Sequence, residues 1–265
     1  GGSTTEPRSL APTAPWPGRG AVNPETFPLG MQTGEPNPAS FVVWTYAPTA
    51  LQVTVHMARW DGTAWVDEPS LTGPASAEGY LHIEPDGLSP DTTYAVQSEV
   101  DGTFSAVAQA RTAPALDARV EVRFGGISCL DQLHGEFPAL DALQSLGPID
   151  AMLWLGDTIY ADGLSTEAGY RNLWQTQLAK GSMQRMFQSA PGIFIWDDHE
   201  VTNNWDPQSI PAQHQILLPL PFPYQSHTHT LDCLVQPKTC PPHPLHSLSQ
   251  SFPQGKATDL EAVPS

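Results

Sequence analysis

Apolar positions in this chain follow two different periods, and the change comes near residue 115. Residues 51–57 (Leu-Gln-Val-Thr-Val-His-Met) alternate apolar and polar, the pattern of a strand buried on one face. Residues 40–46, 79–83 and 94–100 are rich in β-branched and aromatic side chains, which suit a pleated surface. Asp61-Gly62 and Asp101-Gly102 fall beside such runs, and both residue types tolerate the positive φ that tight hairpins need. Short strands at this spacing predict a β-sandwich over residues 27–115. Residues 1–26, rich in Pro, Gly, Ser and Thr, read as a linker or an extended lead-in.

Beyond residue 115 the order becomes strand, helix, strand, helix, strand, which predicts a partial α/β domain over 116–206. Three apolar runs, 119–129, 151–160 and 193–200, read as its strands. A short helix is expected over 136–143, with Pro138 tolerated in its first turn. Tyr170, Leu173, Trp174 and Leu178 recur at helical spacing behind Thr166, a candidate N-cap. Gly181-Ser182 then reads as the cap of a further helix, whose Met183, Met186 and Phe187 form a core stripe.

The last segment, 207–265, breaks this pattern. Eleven of its 59 residues are Pro, and with three acids and two bases it leaves almost all the acidity upstream. It reads as an irregular tail, of the kind a frame change or an unspliced segment produces. The whole chain carries 28 acids against 11 bases, a net charge of −17. That balance argues against a nucleic-acid-binding surface, which needs Lys and Arg to neutralise phosphates. A phosphoester would need metal cations to approach such a chain. No apolar run is long enough for a membrane span. Cys129, Cys233 and Cys240 leave at least one thiol unpaired within a monomer.

Each of the three apolar runs beyond 115 ends in residues with metal or acid–base chemistry, and open α/β sheets build their sites at that edge. Gly156-Asp157 supplies a hard oxygen ligand, and Tyr160 a phenolate three residues on. Asp197-Asp198-His199-Glu200 packs three carboxylates round an imidazole. Buried charge is costly unless paired or bound to metal, so packing alone gives little reason for that cluster. His199 suits phosphate orientation or protonation of a leaving oxygen. Cys129 is either a small buried hydrophobe or a thiolate ligand for iron or zinc.

Taken in order, residues 27–36 and 43–45, Ser128-Cys129, residues 155–160, residues 196–201 and Asn203-Asn204 resemble the landmarks of the PhoD-like alkaline phosphatases. Residues 88–94 and 111–114 resemble the corner and last strand of fibronectin type III modules. The resemblance implies a fibronectin type III-like β-sandwich followed by a metallophosphoesterase α/β domain. It implies a secreted or periplasmic phosphodiesterase or phosphomonoesterase, with a small phosphoester substrate and iron and calcium as cofactors. By that pattern Cys129, Asp157 and Tyr160 bind the iron, Asp157 bridges to a second metal, and Asp198 is a ligand of the second metal. His199 is the catalytic residue that stabilises the transferring phosphate or assists the leaving group. Asp197, Glu200, Asn203 and Asn204 support the loop. The family also carries an Asp-x-His element further on. None follows Asp206 here, and His227-Thr228-His229 has no preceding strand or Gly-Asp. Impaired hydrolysis is therefore expected. The alternative is a non-catalytic β-sandwich binding module that carries a truncated phosphatase remnant.

Overall fold

The computed structural model describes residues 11–204. The expected irregular tail, with its His227, His229, Cys233 and Cys240, lies outside the described residues. Two sheets face each other in the first half. Strands β3 (Gln52–Trp60), β4 (Trp65–Pro74) and β6 (Thr93–Val100) form one, with β7 (Thr103–Phe104) and β8 (Ala108–Arg111) pairing on β6. Facing them are β1 (Met31–Gly34), β2 (Val42–Tyr46) and β5 (Tyr80–Ile83), in the order β5-β2-β1. The core between them holds Met31, Phe41, Val43 and Leu81 from one side and Val53, Val55, Tyr94 and Val96 from the other. The alternation in β3 loses phase at a register shift between Val55 and Met57, so that Met57 and its neighbour Ala58 are both buried.

The lead-in is packed on the sandwich. Trp16 is buried against Ala58 and Ala95, and the Arg19 amide donates to Gln97 Oε1 at 2.6 Å. At the corner before β6, Tyr94 Oη accepts from the backbone N–H of Ser89 at 2.9 Å. Tyr94→Phe leaves that amide without its acceptor, and is expected to cost about 1–2 kcal/mol in urea unfolding with an unchanged m-value.

The sheet does not stop at residue 115. Strand β11 (Gly192–Ile195) runs parallel to β1, with Gly34 opposite Gly192, and β10 (Ala151–Leu155) and β9 (Phe124–Ile127) continue it as parallel neighbours. The full order is β5-β2-β1-β11-β10-β9. The expected division at 115 therefore separates two sequence patterns that share one sheet. The run 119–129 yields a strand only four residues long. Its partner β10 begins at Ala151, and the Arg123 amide donates to the Asp150 carboxylate rather than to a strand.

Helices α1 (Pro138–Ser145), α2 (Glu167–Leu178) and α3 (Gly181–Ser189) cover one face of the parallel strands. Trp154 stacks on Phe187 and Phe194 at 4.7 and 5.3 Å, and Leu140, Met183 and Met186 close the layer. On the other face Phe124, Leu155 and Ile195 are exposed. Thr166 caps α2 as expected, its hydroxyl accepting from the Gly169 amide. The cap expected from Gly181-Ser182 is displaced. Lys180 holds the N-cap position, and the Ser182 amide is satisfied by Glu136 across the helix pair at 3.1 Å. No helix among the described residues is long and apolar enough to cross a membrane.

Candidate metal centre

Because β9, β10 and β11 are parallel neighbours in register, their carboxyl ends open on one edge. The chain turns sharply there. Gly156 has φ +88°, and a Cβ on it would lie 2.4 Å from the Asp197 Cβ, so only glycine lets the second and third turns approach. Asp157 and Cys129 themselves sit at φ +53° and +59°, in the left-handed region that L-residues avoid. Such backbone is retained where surrounding structure over-determines it, and it concentrates at functional sites.

The turns bring the expected residues together. Donor atoms of Asp157, Asp198 and His199 all lie within 4.8 Å of one another, a spacing that one cation can span. Cys129 Sγ is 3.5 Å from Asp157 Oδ2, and the Tyr160 ring stacks on His199 at 4.2 Å. Asp157 is buried, Tyr160, Asp198 and His199 are partly buried, and Cys129 is exposed. His134, on the short turn Gln132–His134, pairs with Asp131 at 3.2 Å.

The electrostatics fit a cation. Burial pushes the Tyr160 phenol well above its ordinary value, and the nearby Cys129 and Asp157 charges push it further. These groups crowd negative charge that a positive ion would relieve, and oxygen, sulfur and imidazole donors suit a transition metal beside a hard cation. Burial alone pulls the His199 imidazole down. The Asp162 carboxylate, together with those of Asp157 and Asp198, outweighs this, so the net shift is upward.

Sequence reasoning missed the residues that hold this geometry. Asp162 accepts from or shares a proton with His199 Nδ1 at 2.7 Å and also receives the Asn203 amide. Its place in Tyr-Ala-Asp-Gly reads as an ordinary turn. Its removal in Asp162→Asn is expected to lower the His199 pKa below its present raised position, toward or under the ordinary histidine value. An NMR titration of the imidazole reads this directly, and an unchanged midpoint would contradict it. Glu200, expected only to support the loop, is buried and accepts the amides of Asp157, Thr158 and Asp197 at 3.1, 2.5 and 3.0 Å. It ties the β10 turn to the β11 turn. The Asn204 amide bonds the Asp198 carboxylate.

Comparison with known proteins bears on the family of this chain. A family model described as PhoD-like phosphatase matches residues 124–217, and one described as PhoD-like phosphatase, N-terminal domain, matches residues 13–114. The chain is 27% identical over 213 residues to alkaline phosphatase D of Bacillus subtilis (strain 168), covering 68% of this chain and 36% of that protein. It superposes on a solved structure titled "Structure of PhoD" with a TM-score of 0.65 at 25% identity, over 73% of this chain and 42% of that one. The chain thus spans well under half the length of these relatives. Two adjoining family models, a curated relative and a solved structure agree, and the chain belongs to the PhoD-like phosphatase family.

Proposed function

We propose that this edge is the metal-assisted centre of a hydrolase acting on phosphate monoesters or diesters. The observation that carries the reading is the convergence, within 4.8 Å at the ends of adjacent parallel strands, of the Asp157 and Asp198 carboxylates as ligands and the His199 imidazole as the group left to face substrate. In this reading Cys129, Asp157 and Tyr160 would hold iron, and Asp157 and Asp198 would hold calcium. The bound cations supply the positive charge that draws a phosphoester to an acidic chain and offsets the charge developing on its oxygens.

The chain's own residues do the rest. With Nδ1 of His199 engaged by Asp162, Nε2 is the nitrogen that addresses a phosphate or leaving-group oxygen. The Asp162 carboxylate at Nδ1 favours the protonated ring, which suits donation to that oxygen. Stacking on Tyr160 restricts the ring's orientation, so less freedom is lost when substrate arrives. Residues 27–115 form a fibronectin type III-like sandwich that buttresses a metallophosphoesterase-type block at 116–206. The Tyr94 corner supports the first part, and the β9-β10-β11 order supports the second. A small phosphoester substrate and a secreted or periplasmic setting complete the proposal.

Hydrolysis of bis(p-nitrophenyl) phosphate and p-nitrophenyl phosphate, by the 265-residue chain supplied with iron and calcium, tests it. The expected result is weak turnover, impaired by the missing downstream Asp-x-His element, that chelator abolishes. A metal-loaded chain with no turnover of either ester would sink the hydrolase reading.

A further inference from the structure

The turn that carries Asp157 is held by side chains from three other elements, each bonded to its backbone. Glu200 takes its amides from one side. Gln132 brackets Tyr160, donating to its carbonyl and accepting from its amide, both at 3.1 Å. The third is Gln177, near the end of α2 and fully buried. Its Nε2 donates to the carbonyls of Leu130 at 2.9 Å and Thr158 at 2.7 Å. Leu130 directly follows Cys129, and Thr158 directly follows Asp157. One amide group thus joins the two left-handed turns that carry the thiol and the carboxylate.

The orientation of that amide is forced. Both neighbours are carbonyl oxygens, so only the NH2 end can face them. Gln177 Oε1 is left buried without a hydrogen-bond partner among the described residues. An unpaired buried acceptor costs stability, and an apolar residue would fill a helix core without that penalty. We infer that Gln177 is a positioning residue of the metal centre, setting the separation of the Cys129 and Asp157 turns through its paired bonds to Leu130 and Thr158. The inference rests on the metal-centre reading above. It adds a clamp reaching the site from behind, from a helix that carries none of the proposed ligands.

Gln177→Met keeps the length and burial of the side chain and removes both donors. Leu178→Ala, at the neighbouring core position, weakens the same helix while leaving both Gln177 donor bonds in place. Each variant of the full chain is titrated with Mn2+ by calorimetry, and amide exchange is followed at Thr158–Tyr160. The expected result for Gln177→Met is roughly 10- to 100-fold weaker Mn2+ binding and faster exchange in that segment. Leu178→Ala is expected to lower the melting temperature with both readouts unchanged. Unchanged exchange in Gln177→Met, or equal loss of Mn2+ affinity in both variants, would overturn the clamp. A wild-type chain that binds no Mn2+ would overturn the metal-centre reading and, with it, the positioning role, while the exchange data would still report whether the bonds hold the turns.

Discussion

Glu200→Ala is expected to lose about 3 kcal/mol of stability, with a fall in melting temperature on the order of 10 °C. The substitution strands three backbone amides, those of Asp157, Thr158 and Asp197, which the buried carboxylate now satisfies. Three orphaned donors would cost more if nothing offset them. The offset is the carboxylate's own desolvation, the largest influence on its pKa, which raises it above the ordinary 4.5. The sign of the accompanying pH effect follows. Between 4.5 and the raised value the folded chain holds more protons than the unfolded one, so stability declines as pH rises through that window. Glu200→Ala is expected to flatten this slope as well as lower the curve. Denaturant unfolding of the metal-free chain across mildly acidic pH measures both. A loss of less than about 1 kcal/mol would mean that the amides find other acceptors.

Asp157→Asn is expected to weaken metal binding by more than about 100-fold and to reduce metal-dependent hydrolysis in step, since loss of even an outer supporting residue costs 10- to 100-fold. Asparagine is the informative replacement. Like aspartate it tolerates the left-handed backbone at φ +53°, whereas alanine would add strain there. It also keeps a side-chain oxygen for the His199 amide, 3.3 Å from Asp157 Oδ1. The metal-free variant should be as stable as the parent or slightly more so, because a negative charge leaves a crowded cluster that includes Asp198 and Cys129. Loss of affinity with retained stability would separate a ligand from a scaffold residue. Matched losses of both would identify Asp157 as structural.

The placement of Cys129, Asp157 and residues 197–200 at the carboxyl edge was readable because it is local. Each of three short apolar runs leads directly into its ligand type, and a strand's end fixes which edge its last residues occupy. Thr166 and the Met183, Met186 and Phe187 stripe were readable for the same reason, since capping and helical period act within a few residues. The joining of β1 to β11 was not. Gly34 and Gly192 are far apart in sequence, and β1 is four residues long, too short to show a period. The clamps were hidden too. Gln132, Asp162 and Gln177 bond backbone or side-chain groups 19 to 47 residues away, and a glutamine on a helix or an aspartate in a turn ordinarily faces water. Glu200 was recognisable as part of the cluster, while its three amide bonds required the folded turns.

The most direct test of the centre is elemental analysis of the purified 265-residue chain beside its Asp157→Asn variant, after both are dialysed against iron and calcium and then against buffer alone. Near-stoichiometric metal retained by the parent and lost from the variant is the predicted result. Equal metal in the two, or none in the parent, would contradict a metal centre at the ends of β9, β10 and β11.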